Sequence, residues 1–359
     1  MASDSLEKFV ETVNGTSHLR IEQDFGDGFV RLRTSEAERR QAAQDIKCSE
    51  DIVLELLRNS RDAHATQIFI ATTHDGGKRI LTAIDNGDGM PESMHELVFE
   101  PRVTSKLDSS HKDKWGLHGR GMALFSIREN AVSAQVKKSK PTCGTAIEVV
   151  TETSKLPEKT DQSTFPTFSL QENGQVSVRG PRNIVRTACE FAIEERNSCS
   201  IYVGSPTEIL AALVSFGRSS LSSIERAFCD DLEELALCKR PATAADPHEL
   251  AAIAHTLGLD ISERSARRVL DGEIQPALPL LERIVINNPA SDKRPKPRKR
   301  AKAGAQVKIG RVDLDSFKEV VEDAWKPLAQ RYYLEEDVDA SIRVSKKGVT
   351  ITLPIAPKD

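Results

Sequence analysis

Glu55-Leu56-Leu57-Arg58-Asn59-Ser60-Arg61-Asp62-Ala63-His64-Ala65 lies inside a longer run, Ser49 to Ala63, whose apolar residues recur with the period of a helix. Glu55 and Asn59 stand four apart, so both project from one helical face, while Leu56 and Leu57 point into a core. A carboxylate beside an amide can hold a divalent cation through the amide oxygen and orient a water with the carboxylate. A solvated helix face carries the same pair, so this stretch alone leaves both readings open.

Moving outward, residues 67–73 (QIFIATT) and 79–85 (RILTAID) read as strands separated by the turn signal Asp75-Gly76-Gly77. The second strand delivers Asp85 into a turn built on Gly87 and Gly89, followed by Met90. A carboxylate there can accept a hydrogen bond from an exocyclic amine such as adenine presents, and glycine lets the backbone approach a flat ligand closely. An Asp-Asn-Gly hairpin turn is the plainer alternative. Farther on, GLHGRGMALFSI at 116–127 sets Gly116, Gly119 and Gly121 before an apolar helix, where free N–H groups and a helix N-terminus suit an anion. Thr104-Ser105-Lys106 precedes it with two hydroxyls and an ammonium, and Gly144-Thr145 opens a strand at 146–150.

In this order and spacing the motifs resemble the Bergerat-fold, or GHKL, ATPases, the superfamily of gyrase, the 90-kDa heat-shock chaperones, sensor histidine kinases and MutL. The resemblance implies an α+β fold, a mixed sheet covered by helices, that binds ATP with Mg²⁺. It implies Glu55 as general base for the attacking water and Asn59 as the Mg²⁺ ligand. Asp85 would take the adenine amino group, supported by Thr145 on the neighbouring strand. Gly87, Gly89 and Met90 would shape the adenine pocket. Thr104, Ser105 and Lys106 would face the phosphates, Lys106 offsetting charge that develops in the reaction. Gly116, Leu117, His118, Gly119, Arg120, Gly121 and Met122 would form the phosphate lid. Asp62 follows the family's N-S-x-D-A spelling.

Glu55 favours hydrolysis over phosphotransfer to a histidine, because the kinase branch generally lacks a base there and no phospho-acceptor helix is visible. The spelling TSK and the segment ACEFAIEERNSCSIYVG at 188–204 look most similar to the B subunit of topoisomerase VI, and next to MutL. That resemblance implies an ATP-dependent homodimeric clamp acting on duplex DNA with a topoisomerase-A-like DNA-cleaving subunit. A MutL-like repair clamp and a DNA-independent chaperone are the alternatives. Lys346 and Lys347, at a hairpin tip, are candidates for the lysine that reaches the γ-phosphate in such proteins; a solvated tip explains them as well.

The organisation expected is a polar arm at 1–45, the ATPase domain at 46–204, a helical domain at 205–290, a basic linker at 291–304 and a small α/β segment at 305–359. The linker places seven basic residues and two prolines within 293–302, too charged to bury apolar surface. Over the whole chain of 359 residues, 50 basic and 54 acidic side chains give a net charge of −4, so any nucleic-acid surface is a local patch. The segment 248–270, HELAAIAHTLGLDISERSARRVL, resembles a helix-turn-helix in its Gly258 break, with Arg264, Arg267 and Arg268 on the following helix. A packing helix with a charged face reads the same way. No apolar run approaches the ~18 residues of a membrane span, and the first residues lack a secretory pattern, so a cytoplasmic protein is expected. The six cysteines are scattered without metal-ligand spacing and read as reduced, mostly buried residues.

Overall fold

The computed structural model describes residues 21–105, 111–113, 116–118, 121–170, 176–227, 232–287, 311–332, 334–345 and 348–354. The chain forms two compact units, Met1–Pro289 and Ala290–Asp359.

The first unit runs β1 (Ile21–Gly26), β2 (Phe29–Leu32), α1 (Glu36–Ala43), α2 (Ser49–Asp62), β3 (Gln67–Asp75), β4 (Lys78–Asp85), β5 (Val103–Thr104), β6 (His111–Asp113) and β7 (Gly116–His118). It continues with α3 (Ala123–Asn130), β8 (Ser133–Lys140), β9 (Gly144–Glu152), β10 (Thr167–Leu170), β11 (Val176–Arg179), α4 (Ile184–Glu194) and β12 (Ser200–Gly204). It ends with α5 (Pro206–Ser220), α6 (Ser223–Ala227), α7 (Pro247–Thr256), α8 (Glu263–Leu270), α9 (Leu280–Arg283) and β13 (Ile286–Asn287). A five-stranded sheet in the order β12-β3-β4-β9-β8 is its spine. β12 lies parallel to β3 and the other neighbours are antiparallel, so the sheet is mixed.

Strand parity assigns each side chain to a face. Ile68, Ile70, Leu81, Ala83, Ile147 and Val149 pack against Ile52, Val53, Leu56 and Leu57 of α2 and against Ala188, Phe191 and Ala192 of α4. Phe69, Ala71, Ile84 and Ala146 face the other way, onto α5, α7 and α8. Both faces are therefore covered, which is why β3 and β4 read as nearly continuous apolar runs. The helical segment after residue 205 lies within the first unit and shares this second core, with Phe69 stacked on Tyr202 at 4.4 Å between ring centroids.

Residues 21–43, part of the stretch read as a polar arm, form β1, β2 and α1. β2 is the middle strand of a three-stranded sheet whose far edge is β5. Ser35 caps α1 in a reciprocal capping box with Glu38, and Glu38 also pairs with Arg102. Burial fits the reading for four cysteines and not for Cys48, which is half-buried: Cys143, Cys189, Cys199 and Cys238 are buried free thiols, and desolvation pushes Cys189 up to about 12 and Cys199 to about 11. Cys229 lies outside the described residues.

The second unit contains α10 (Arg311–Tyr332) and the hairpin β14 (Ser341–Ser345) and β15 (Gly348–Thr352). Trp325, Ala329 and Val338 form its apolar cluster, and the Trp325 indole donates to the Glu335 carbonyl at 2.9 Å. Lys346, Lys347 and the basic run 291–304 lie outside the described residues. Among the described residues no helix is long and apolar enough to cross a membrane.

Candidate nucleotide-binding site

A cavity of about 160 Å³ opens where α2, the end of β4, the start of β9 and the segment before α3 converge. Glu55, Asn59, Asp85, Gly89, Met90, Thr104, Ser105, Gly121 and Thr145 all line it. Three motifs far apart in sequence are thus brought to one place by the sheet and its covering helix.

Asp85 is the last residue of β4 and lies opposite Thr145 in the β4–β9 register. Its Oδ2 accepts from the Ser60 hydroxyl at 2.7 Å; its Oδ1 accepts from the Gly87 N–H at 2.9 Å and the Thr145 N–H at 3.3 Å. At 6% exposure this carboxylate is desolvated, and the hydrogen bonds to it hold its position. The Thr145 hydroxyl meets Ser139 Oγ at 3.0 Å, and Ser139 in turn accepts from the Met90 N–H at 2.9 Å. A single buried network therefore ties the turn after β4 to the β8–β9 hairpin.

The turn itself needs glycine at Gly89. Its φ is +68°, and a Cβ would fall 2.0 Å from the Lys140 carbonyl oxygen. The turn is further fixed by Asp88, whose N–H donates to the Ala63 carbonyl at 2.8 Å and whose carbonyl accepts from the Thr142 N–H at 2.6 Å. Gly87 contributes its N–H to Asp85 and does not line the cavity.

Glu55 and Asn59 project from α2 as their spacing predicts. Arg58 Nη1 lies 2.5 Å from Glu55 Oε1, an ion pair with the arginine side chain 7% exposed and the glutamate 19%. The Asn59 amide nitrogen is buried and has no hydrogen-bond partner among the described residues. On the opposite wall, Gly121 adopts φ +65° and its carbonyl accepts from the Arg102 N–H at 2.8 Å. α3 begins at once behind it, with Ala123 and Leu124 on the cavity wall and no side-chain cap at Met122. Among the described residues no side chain caps its first turn, whose N–H groups can then serve a ligand or water.

Gly116, Leu117 and His118 form β7, paired antiparallel with β6. Lys106, Gly119 and Arg120 lie outside the described residues. The structure also adds residues that the motifs did not reveal. Ser60 and Ser139 support Asp85 and Thr145. Phe29, from the N-terminal hairpin, lines the cavity at 9% exposure. Arg102 joins α1, β2 and Gly121, its carbonyl accepting from the Leu32 N–H at 3.0 Å. Ser60 could have been found from its helical position one residue after Asn59; Phe29 had no sequence signal, since only the β2–β5 pairing brings it to the site. Among the described residues no cluster of three or more His, Cys, Asp or Glu could hold a metal.

Residues 45–155 match the family model described as histidine kinase-, DNA gyrase B-, and HSP90-like ATPase, and the chain thus carries a GHKL ATPase domain. The DNA mismatch repair protein MutL of Sinorhizobium fredii is 40% identical over 110 residues, 30% of this chain and 18% of that protein. MutL of Sinorhizobium medicae is 49% identical over 86 residues, 24% of this chain and 14% of that protein. The chain thus spans less than a fifth of the length of these relatives. A crystal structure of the N-terminal domain of a DNA repair protein aligns at 19% identity and a TM-score of 0.25, covering 43% of this chain and 59% of that one. The MutL relatives favour the repair-clamp reading of the sequence over the topoisomerase VI B-subunit reading.

Proposed function

We propose that this cavity binds and hydrolyses ATP with Mg²⁺, and that the chain is a MutL-like, nucleotide-gated clamp acting on DNA. The observation that carries the ATP reading is Asp85, a buried carboxylate fixed by Ser60, Gly87 and Thr145 at the wall of a cavity that also holds Glu55 and Asn59. A carboxylate is an acceptor-only group, the partner that the donor of an adenine amino group requires. Thr104, Ser105 and the uncapped first turn of α3 offer hydroxyl and N–H donors to the phosphates.

Asn59 fits the metal: its amide has an unmet hydrogen-bonding atom at the cavity, and the amide's oxygen and nitrogen exchange places by a half-turn of the group. A single neutral protein oxygen suits Mg²⁺, which keeps waters and phosphate oxygens as its other ligands. When bound, the ion would neutralise phosphate charge. Glu55 would orient the attacking water and accept its proton, and Arg58 holds that carboxylate in place. Closure over ATP would join two copies of the chain, and the helical layer and C-terminal unit would pass that closure on.

The test is ATP hydrolysis by wild type and Glu55→Ala, with and without duplex DNA, beside sedimentation in a non-hydrolysable ATP analogue. Glu55-dependent turnover, raised by DNA and accompanied by analogue-driven dimerisation, is the expected result. Turnover indifferent to DNA would move the chain to a DNA-independent remodeller. Absence of Glu55-dependent turnover would overturn the catalytic assignment.

A further inference from the structure

We infer that α7, the following turn and α8 form a helix-turn-helix surface that contacts duplex DNA through Arg264 and Arg267. The inner side of this segment is rigidly fixed. Leu250, Ile253 and Ala254 of α7, Leu257, Leu259 and Ile261 of the turn, and Ala266 and Val269 of α8 are all buried. The turn closes α7 with glycine in the left-handed region: Gly258 has φ +77°, its N–H donates to the His255 carbonyl at 3.1 Å, and the Leu259 N–H donates to Ala254 at 2.9 Å. The Gly258 carbonyl then accepts from the Thr82 hydroxyl at 2.8 Å, which pins the turn to β4. Ser262 caps α8, accepting from the Ser265 N–H at 3.3 Å.

With one side held, the outer side is presented as a fixed shape. Arg264 and Arg267 stand three apart, which places them on one face of α8. Both are exposed, and the side chain of neither makes a hydrogen bond or ion pair among the described residues. Of the neighbouring acidic side chains, Glu263 pairs with His248 at 2.7 Å and Glu273 with Arg268 at 3.0 Å, while Asp271 is exposed one helical turn after Arg267. Asp260 lies 3.9 Å from His255, too far for a hydrogen bond. The His248–Glu263 contact also brings the first turns of α7 and α8 side by side, as a helix-turn-helix needs when its second helix enters a groove and its first meets the backbone. No large apolar side chain of residues 247–270 is exposed. The surface thus offers guanidinium groups to phosphate and base edges and nothing to an apolar partner. A helix ~10–12 Å across fits the ~12 Å major groove of B-form DNA.

The surface belongs to the layer packed on one face of the sheet, while α2 and the nucleotide cavity's core residues pack on the other. Neutralising the two arginines therefore leaves the cavity untouched. The inference deepens the DNA part of the proposed function and rests on it, and the two can fail separately.

The experiment measures binding of the full-length chain to a fluorescein-labelled 30-base-pair duplex by anisotropy, from 50 to 200 mM salt. It compares wild type, Arg264→Gln/Arg267→Gln, and the charge-matched control Lys155→Gln/Arg196→Gln, whose residues are exposed elsewhere on the unit. Each phosphate contact contributes about 0.9 to the slope of log affinity against log salt. The α8 variant should bind at least about tenfold more weakly at 100 mM salt and lose about 1.8 from the slope. Its ATP turnover without DNA should match wild type, and the control should bind DNA as wild type does. Wild-type affinity and slope in the α8 variant, an equal loss in the control, or no duplex binding by wild type at 50 mM salt each overturns the inference. Turnover that persists in Glu55→Ala overturns the ATPase reading instead. Because both arginines are exposed and their side chains make no hydrogen bond or ion pair among the described residues, folding should be preserved, and an unchanged thermal midpoint verifies it.

Discussion

Ser60→Ala isolates the residue that the motifs did not reveal. Ser60 and Asp85 are 4% and 6% exposed, and the serine hydroxyl donates to the carboxylate at 2.7 Å. A hydrogen bond to an ionised group in such a site is worth about 1.5–3 kcal/mol. At 1.4 kcal/mol per tenfold, that corresponds to a span from roughly 10-fold to 150-fold. Losing the donor removes one of the bonds that aim the carboxylate, leaving those from Gly87 and Thr145. The loss divides between stability of the empty protein and affinity for adenine, since both use the same atom. Urea unfolding should report a drop in stability of up to about 3 kcal/mol with unchanged slope, since the compactness of neither state changes. Titration calorimetry with a non-hydrolysable ATP analogue should report weaker binding, and the ratio of ATP-analogue to GTP-analogue affinity should fall. A variant with wild-type stability, wild-type affinity and wild-type base selectivity would refute the claim that Ser60 positions Asp85 for adenine.

Asp85→Asn keeps the size of the side chain but replaces an acceptor by a donor facing another donor, so ATP binding should be lost in a protein whose circular dichroism is unchanged. Gly89→Ala forces a left-handed residue to carry a Cβ 2.0 Å from the Lys140 carbonyl, so the turn must move and calorimetry should detect no nucleotide binding. Phe29→Ala removes a buried ring from the cavity wall and the core; about 3–5 kcal/mol of stability should go in urea unfolding, with nucleotide affinity falling too. Burial holds the Cys189 thiol up at about 12, so at pH 8 only about one molecule in ten thousand carries the thiolate. The sign makes alkylation rise with pH toward that value, and peptide mapping should find Cys189 unlabelled at pH 8 until the chain is unfolded.

The motifs were legible because each is a local signal. Glu55 and Asn59 share a face by helical spacing alone, Asp85 ends an apolar strand, and Gly89 marks a turn that no side chain can enter. The strands β3, β4, β9 and β12 and the helices α2, α4 and α10 follow the apolar pattern closely. What the pattern missed was short or cross-connected: the β1–β2 hairpin, in which β2 pairs with β5 some 70 positions away, and β13, which joins β10 in parallel. Such pairings leave no periodic trace in a four- or two-residue strand.

The sequence by itself determined which chemical groups the site contains, because helix period, strand parity and glycine freedom act over a few residues. It could not say that the helices after residue 205 close the second face of the sheet, that Phe29 reaches the cavity, or that Ser60 and Ser139 hold Asp85 and Thr145. Those outcomes rest on which apolar faces meet. Phe69 and Ile84 must be buried, and α5, α7 and α8 carry the apolar stripes that cover them. The hydrophobic effect is non-directional. It drives burial without naming a partner, and only the folded arrangement of faces selects one.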